Sequence, residues 1–485
     1  MKNGMIFLVG VLLMSSLSAC GSGKIDKTVG KLEVGQVVAG EKPKQIIMEV
    51  DSTFMAQESE RKAIESQFEN LTGIKLIIQD IDEYADSIEA DVMMISSDYY
   101  GAYASQQVFW DMSKAWEQSE VKASGRIDEG MVEAFYMDEA LYGFPISSGN
   151  GCVTYIRKDW LDKLGLKVPE SYKEYVEVLR AFTNEDPDGN GKDDTYGVTA
   201  VGLLTNSEPY VQYLPEFWQD AYPGIYQNEK GVYVDGFTEE SMIKALERLK
   251  AAYKEGLIDQ EVLTNIASSC REKFYSGKAG VLTYKAGDWY RILEDNTKIL
   301  SPEAELVAIP PIKEVENYIK DLSFALAIPS NASNPEGVFK YFIEALVDGG
   351  AVQELFTYGI EGVDYTKTEG AYQPIQGSGM NLKETNKMLI NPLLSISKWQ
   401  SDKAPKWLAD ERATRSNELL QSHCKLQSLI KCTDELVNAS VDLSDARQQI
   451  IVEVVTGDLS VSDGIAAYRE RTDELMGDVL ASLNA

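Results

Sequence analysis

The segment from Asp186 to Asp194 reads DPDGNGKDD, and its polar residues have the spacing of the oxygen ligands in an EF-hand calcium loop. Oxygen-bearing side chains occupy positions one, three, five and nine of such a loop: Asp186, Asp188, Asn190 and Asp194. Gly191 stands at position six, where the chain turns sharply, and Lys192 would contribute its backbone carbonyl at position seven. Hard oxygen ligands in this number suit Ca²⁺ better than zinc. We therefore expect a calcium ion here, and the alternative is an acidic turn without a metal.

The loop departs from an EF-hand at position twelve, where Gly197 replaces the bidentate glutamate. A distant acid, Thr195 or water would have to complete the coordination shell. The following residues, 196–200, have the pattern of a buried strand rather than that of a second EF-hand helix. The pattern therefore favours a structural ion over a calcium switch.

The first twenty residues carry a second chemical signal. An apolar run over residues 5–17 is too short to span a bilayer comfortably. It ends in Leu-Ser-Ala-Cys at residues 17–20, which resembles the bacterial lipobox, whose cysteine is lipidated on sulfur and becomes the first residue of the mature chain. We predict a signal peptide over residues 1–19, a lipid such as palmitate on Cys20, and a flexible tether over residues 20–44. The alternative is an ordinary secretion signal with a chance cysteine.

Composition argues against several classes of function. A chain of 485 residues is too long for one hydrophobic core, so two or more domains are expected. Acidic residues outnumber basic residues 77 to 46, and the net charge of −31 argues against a nucleic-acid partner. The single histidine, His423, excludes His-cluster metal sites and leaves little basis for Ser-His-Asp or Cys-His catalysis. The sequence leaves open whether Cys152 and Cys270 form a disulfide.

The stretch from Tyr142 to Leu166 is the element around which the other elements are arranged. Apolar runs at 140–146 and 152–156 flank a small, polar link, Ser147–Gly151, and an amphipathic helix follows and stops at Gly165. Such a link either crosses between two lobes or closes a β-hairpin within one domain, and the flanking chain decides between them.

Strands expected at 46–50, 74–78 and 91–95, with a helix at 56–71, predict an α/β fold with mainly parallel sheets flanked by helices. Ligands of such sheets bind beyond the carboxyl ends of the strands. The candidate ligand contacts are polar groups at strand ends, in the link or before a further crossing, and aromatic side chains that could stack on sugar rings: Asp51, Asp98, Ser148, Asn150, Trp218, Tyr222, Trp289 and Glu361. Helix caps, turn acids and local packing are the alternative roles for these residues.

Several motifs occur in one order along most of the chain and together resemble a known family. They are the lipobox, YGFP, YIRKDWLDKLGL, the DPDGNGKDD loop, REKFYSGKAGV from Arg271, SNPEGVFKYFIEAL from Ser333, YGIEGVDY from Tyr358 and TGDLSVSDGIAAYRE from Thr456. The family is the sugar-binding group, family 1, of the extracellular solute-binding proteins of bacterial ABC importers. The resemblance implies a two-lobed, type II periplasmic-binding-protein-like fold, with a hinge about which the lobes close on ligand before docking on the permease.

The resemblance also implies a domain plan and a location. Lobe 1 would comprise residues 45–146 and 311–365, and lobe 2 residues 147–310 and 366–485. The protein would be a monomer, held by its lipid at the extracellular face of the membrane of a Gram-positive type of bacterium. Members with the calcium loop have a further acid after its last aspartate, and Thr195 stands in that place here.

A binding protein for a carbohydrate, in particular an oligosaccharide, is therefore favoured over an enzyme. The alternative is a cell-surface carbohydrate-active enzyme that uses paired carboxylates. No nucleophile motif or Gly-rich phosphate loop in the sequence supports catalysis, so we expect no enzymatic activity. The motifs do not specify the sugar, its length, its charge or the cognate permease.

Overall fold

The computed structural model describes residues 40–50, 58–81, 88–96, 100–101, 104, 108–201, 203, 214–322, 324–368, 371–375, 390, 394–397, 410–427 and 429–485. Three residues of the predictions, Cys20, Asp51 and Asp98, lie outside these ranges.

The strands, in chain order, are β1 (Gln45–Val50), β2 (Lys75–Asp80), β3 (Val92–Ile95), β4 (Tyr136–Met137), β5 (Ala140–Leu141), β6 (Phe144–Pro145), β7 (Cys152–Arg157), β8 (Tyr196–Val198), β9 (Ile225–Gln227), β10 (Tyr233–Asp235), β11 (Ala279–Lys285), β12 (Leu306–Ile309), β13 (Tyr318–Lys320), β14 (Ala325–Ala327), β15 (Tyr365–Thr368), β16 (Ala371–Pro374) and β17 (Cys424–Leu426).

The helices are α1 (Glu58–Thr72), α2 (Ser113–Glu117), α3 (Glu120–Ala123), α4 (Glu129–Glu133), α5 (Lys158–Leu164), α6 (Tyr172–Asn184), α7 (Pro215–Trp218), α8 (Glu240–Lys254), α9 (Ala267–Tyr275), α10 (Trp289–Leu300), α11 (Pro335–Val338), α12 (Ala351–Tyr358), α13 (Glu411–Ser422), α14 (Asp434–Val455) and α15 (Val461–Leu483). Gly236–Thr238 is a 3-10 turn, and α11 continues through a π-helical turn, Phe339–Ile343, and a 3-10 turn, Glu344–Leu346.

The sheet of the first lobe has the strand order β2-β1-β3-β14-β6. The strands β1, β2 and β3 are parallel, as their alternation with helices predicts. The strand β14 is antiparallel to both β3 and β6. It follows that β1, β3 and β6 end at one edge of the sheet, and that β14 begins there.

The core of this lobe forms where helices cover the sheet. Ile64 and Phe68 of α1 are buried, and the Phe68 ring meets Phe342 and Phe356 edge-on, with centroids 5.6 and 6.2 Å apart. Leu71, in the last turn of the same helix, is 42% exposed.

The division of the chain between lobes differs from the domain plan at two points. The first core draws on residues 46–146 and 322–356, and also on Ile390 and Ile396, which the plan assigns to the second lobe. Ile312 and Tyr318 pack in cores of the second lobe, although the plan places the return to the first lobe at residue 311. The chain therefore returns about ten residues later, after β13.

The sheet of the second lobe has the order β12-β7-β11-β8 and is mixed rather than mainly parallel. The central strand β7 is antiparallel to both β11 and β12, and only β11 and β8 are parallel. The mixed order follows from the direction in which the chain enters the second lobe. Because β7 comes directly from the first lobe, it runs away from that lobe, and its neighbours run back towards it.

Long helices cover one face of this sheet. The helices α14 and α15 pack against each other, and their residues Ile450, Val454 and Tyr468 are buried in the second core. The bounds of α15 are those that the amphipathic pattern of the C-terminal residues predicts. Among the described residues, no helix combines the length and the apolar character needed to cross a bilayer.

Cys152 and Cys270 are buried, free thiols and do not form a disulfide. Burial raises the pKa of Cys152 to about 12 and that of Cys270 to about 11. Both are therefore neutral and unreactive at physiological pH.

Candidate functional site

The link Ser147–Gly151 joins β6 of the first sheet to β7 of the second, so it crosses between the lobes. The β-hairpin interpretation is therefore wrong. The return crossing begins at Asp321, between β13 and β14. The domain plan's return to the first lobe at residue 311 falls too early, because β12 and Tyr318 both belong to the second lobe.

The two crossing segments lie side by side. The backbone carbonyl of Asn150 accepts the N–H of Asp321 at 2.7 Å, and Gly151 forms a β-bridge with Lys320. Gly149 has a φ of +73°, and a Cβ there would stand 2.0 Å from the carbonyl oxygen of Asp321. The sequence therefore needs glycine at position 149 both for its backbone conformation and for the contact between the two segments.

Two predicted ligand residues lie in this link and keep polar groups available. The backbone N–H of Ser148 donates to the carbonyl of Leu394 at 2.5 Å, and Asn150 Oδ1 accepts the N–H of Gly151 at 2.8 Å. Within the described part of the chain, neither the Ser148 hydroxyl nor the Asn150 Nδ2 has a hydrogen-bond partner. Both side chains are only partly buried, so each can reach a ligand at the crossing.

The carboxyl end of β11 adjoins the crossing. The N–H of Ala286 donates to the carbonyl of Gly151 at 2.9 Å, and Lys285 Nζ lies 2.6 Å from Asp321 Oδ2. This ion pair connects the end of β11 to the return segment. Its members are 36 positions apart in the chain, and the sequence offers no local signal for it.

Trp289 begins α10, three residues after Ala286, and so lies at this same end of the second sheet. It is partly buried, and its ring stands edge-on to Tyr284 with centroids 4.9 Å apart. The guanidinium of Arg271 lies over the indole, 5.0 Å from the ring centroid. The ligand role of Trp289 stays a prediction, and Arg271, which opens the REKFYSGKAGV motif, was not among the predicted residues.

The prediction for Trp218 is wrong. Its side chain is completely buried in the second core, and the carbonyls of Phe217 and Trp218 accept N–H groups of Arg248. The sequence from Leu214 to Tyr226 is rich in aromatic residues, contains Pro and Gly, and has no helical period. Pro215 at the first position instead starts a helical turn, α7, which directs the indole inward.

Tyr222 and Glu361 are placed differently from the residues at the crossing. Tyr222 packs on the second core beside Tyr226, with ring centroids 4.8 Å apart. Glu361 is exposed in a turn after α12 of the first lobe, 3.7 Å from Lys367. Of the predicted ligand residues, the structure therefore brings Ser148, Asn150 and Trp289 to one end of the second sheet.

A buried polar cluster lies beneath the crossing. The Thr154 hydroxyl donates to Glu216 and lies 2.8 Å from the hydroxyl of Thr283. The Tyr318 hydroxyl accepts the N–H of Thr154 at 3.2 Å. Glu216 is 1% exposed, and burial raises its pKa to about 7. The sequence did not indicate this group, because an acid in a one-turn helix looks like a surface residue.

The loop Asp186–Asp194 has the backbone turn that its spacing predicts. The Asp186 carboxylate accepts the N–H groups of Asn190 and Gly191 at 3.0 and 3.1 Å. The Asn190 amide donates to Asp188 at 2.7 Å and to Asp194 at 3.0 Å. Partial burial, together with the neighbouring Asp186 carboxylate, raises the pKa of Asp188.

Two lysines also contact this loop. Lys278 Nζ lies 2.5 Å from Asp194 Oδ2, and Lys163 donates to the carbonyls of Asp186 and Pro187 at 3.1 and 2.9 Å. Nowhere in the described residues do three or more Asp, Glu, His or Cys side chains meet closely enough to hold a metal ion. One acid of the loop, Asp194, is thus paired to an ammonium group, and the calcium ion stays a prediction.

Residues 52–352, more than half of the chain, match the family described as bacterial extracellular solute-binding protein. Lipoprotein LipO of Bacillus subtilis (strain 168) is 27% identical over 302 residues, which are 60% of this chain and 59% of LipO. The polygalacturonan/rhamnogalacturonan-binding protein YtcQ of the same strain is 28% identical over 310 residues, 61% of this chain and 60% of YtcQ. The matched part is thus about three-fifths of the length of these relatives.

A solved structure with the same fold is an HMO binding, ABC-transporter associated solute-binding protein from Bifidobacterium longum infantis ATCC 15697. The two superpose with a TM-score of 0.67 at 20% sequence identity, over 91% of this chain and 97% of the other. The likeness confirms the two-lobed α/β architecture with a hinge between the lobes. On the match over residues 52–352 and on this architecture, the chain belongs to the family of bacterial extracellular solute-binding proteins.

Proposed function

We propose that this protein captures an oligosaccharide between its two lobes and delivers it to the permease of an ABC importer. The observation that carries the proposal is the crossing. There the Asn150 Nδ2, which has no hydrogen-bond partner among the described residues, and the partly buried indole of Trp289 lie at one end of the second sheet. Amide and hydroxyl groups suit sugar hydroxyls, and an indole suits the C–H face of a pyranose ring. The relative YtcQ is named as a polygalacturonan/rhamnogalacturonan-binding protein, which supports a carbohydrate ligand.

The test is a thermal-shift screen of the purified chain against neutral and acidic oligosaccharides, followed by calorimetry. A true ligand at 100 times its Kd should add about 2.7 kcal/mol to the free energy of unfolding. The sugar should be recovered intact after prolonged incubation, because a binding protein does not cleave it. Recovery of shortened products would instead support the alternative of a carbohydrate-active enzyme.

Trp289→Ala is expected to weaken ligand binding by about 2 kcal/mol, because a large apolar contact is removed from the centre of the site. The variant should still fold, since Trp289 is only partly buried. Calorimetry and a denaturant melt on the same variant check both statements. A variant that loses stability, yet binds with wild-type affinity, would show that the indole serves packing alone.

The proposal places the protein at the extracellular face of the membrane, held by a lipid on Cys20. The lipobox-like residues 17–20 and the lipoprotein name of the relative LipO support this anchor. Cys20→Ser should abolish acylation and release the chain from membranes. Retention of acyl chains by the Cys20→Ser protein, measured by mass spectrometry, would refute the anchor.

The proposal includes a structural calcium ion in the loop Asp186–Asp194. Asp186, Asp188 and Asn190 would hold it through side-chain oxygens, Lys192 through its carbonyl, and Asp194 after releasing Lys278. The bound ion would relieve the repulsion between Asp186 and Asp188. The donor set fits Ca²⁺, because every contributing atom is a hard oxygen.

Calcium is therefore expected to raise the melting temperature of the wild type, and EDTA to lower it again. Asp188→Ala should remove most of this difference and change the melting temperature little in EDTA. The matched control is Asp193→Ala, because Asp193 lies in the same loop but at a position that does not ligate. A wild type whose melting temperature is the same in calcium and in EDTA would rule out the structural ion.

A further inference from the structure

We propose that the sugar carries carboxylate groups, and that Arg271 binds one of them beside Trp289. This inference rests on the proposed function and adds the chemical class of the ligand. Its basis is an arginine whose charge is not neutralised by any acid in the described residues, at the end of the second sheet where the chain crosses between lobes.

Aromatic rings hold the guanidinium of Arg271 in place. It lies 5.0 Å from the centroid of Trp289 and 5.5 Å from that of Tyr284, and one of its N–H groups donates to the Tyr284 hydroxyl. Rings that pack against a guanidinium fix its orientation and leave the N–H groups at its edge available. The group is thus pre-organised at little further cost in side-chain entropy.

Other arginines of this lobe are committed to partners within the protein. Arg157, Arg180, Arg291 and Arg412 each bind a carboxylate. Arg248 donates to two backbone carbonyls. Arg469 and Arg471 donate to a backbone carbonyl and to an amide oxygen. Arg271 has neither an acidic nor a carbonyl partner among the described residues, and its hydrogen bond goes to the Tyr284 hydroxyl.

The surroundings of Arg271 favour a ligand rather than solvent alone. Of the lysines near the crossing, Lys285 is paired with Asp321, and Lys320 is buried and donates to the Gln421 side chain, so neither is presented to an anion. A uronate unit fits this arrangement, because its carboxylate matches the planar N–H fork of arginine and its ring can pack beside the indole.

The experiment compares uronic-acid trisaccharides with their methyl esters, which keep the sugar and remove the charge. Galacturonate, mannuronate and glucuronate trisaccharides are titrated by calorimetry into wild type, Arg271→Gln, Arg271→Lys and the control Arg469→Gln. Arg469 is a good control because it lies on α15 and donates to the Thr238 carbonyl. Melting temperatures of all four proteins establish that each is folded.

At least one acid is expected to bind wild type at least about tenfold more tightly than its ester, with an affinity that falls as salt is added. Arg271→Gln should bind acid and ester with equal affinity. Arg271→Lys should keep part of the preference for the acid over the ester, and Arg469→Gln should keep all of it. Equal affinity of acid and ester for wild type, or a preference that survives in Arg271→Gln, overturns the inference. If the thermal-shift screen finds binding of neutral oligosaccharides alone, the inference is overturned and the proposed function stands. If no saccharide binds in either experiment, both are overturned.

Discussion

Gly149→Ala is expected to lower the free energy of unfolding by about 3 kcal/mol or more. Two effects add in this variant. The φ of +73° at this position costs alanine about 1 kcal/mol relative to glycine. The new Cβ would also stand 2.0 Å from the carbonyl oxygen of Asp321, so the crossing segments would have to separate and stretch the Asn150–Asp321 hydrogen bond.

The matched control is Gly165→Ala. Gly165 caps α5 with a φ of +69°, and a Cβ there would meet no atom within 4 Å. This variant should therefore show the backbone cost alone, about 1 kcal/mol. Chemical denaturation of both variants measures the difference. Equal losses of stability would show that the crossing segments tolerate a side chain at position 149, contrary to the observed contact.

Glu216→Gln is expected to stabilise the protein by up to about 3 kcal/mol at pH 8, and to change its stability little at pH 4.5. Glu216 is 1% exposed, its Oε2 has no partner among the described residues, and burial raises its pKa from an ordinary 4.5 to about 7. The side chains that face it are Thr154, Tyr175 and Tyr318, none of which carries a charge at these pH values.

The sign follows from which state releases its proton first. The unfolded chain loses the Glu216 proton near pH 4.5, whereas the folded chain keeps it until about pH 7. The contribution of Glu216 to stability is therefore fully present below pH 4.5 and is lost as the pH rises to about 7. Glutamine has no proton to lose, so the difference between the variant and wild type should grow over this interval.

Asp259→Asn is the control, because its effect on stability at pH 8 is expected to have the opposite sign. Burial alone would raise the pKa of Asp259, but hydrogen bonds from Lys273 and Asn265 outweigh it and hold the pKa below its ordinary value of 3.8. The ionised Asp259 carboxylate therefore stabilises the folded state above pH 3.8, and this stabilisation is lost as the pH falls. Asp259→Asn should therefore destabilise the protein at pH 8. A stability difference for Glu216→Gln that does not vary between pH 4.5 and 8 would show that this carboxyl does not titrate as inferred.

Local patterns determined a large part of the fold. The alternation of strands and helices up to residue 95 predicts the parallel strands of the first sheet, because periodicity and helix stops are properties of neighbouring residues. Helix α6 is a second example, since Ser171 and Glu174 form a capping box at its start. The small, polar link Ser147–Gly151 was predictable as a break, but whether it crossed between lobes depended on the sheets on either side.

The tertiary structure decided which of the candidate residues share one place. Trp218 and Trp289 are both indoles in segments with similar local character, yet one is completely buried and the other lies at the crossing beside Arg271. The ion pair of Lys285 with Asp321 and the raised pKa of Glu216 likewise depend on groups distant in the chain. The spacing of residues in the sequence predicts only which side chains lie close together within one helix, strand or loop. Burial, charge pairing and ring contacts depend on which elements the fold brings together, so the sequence determined the candidates and the packing of the second lobe decided among them.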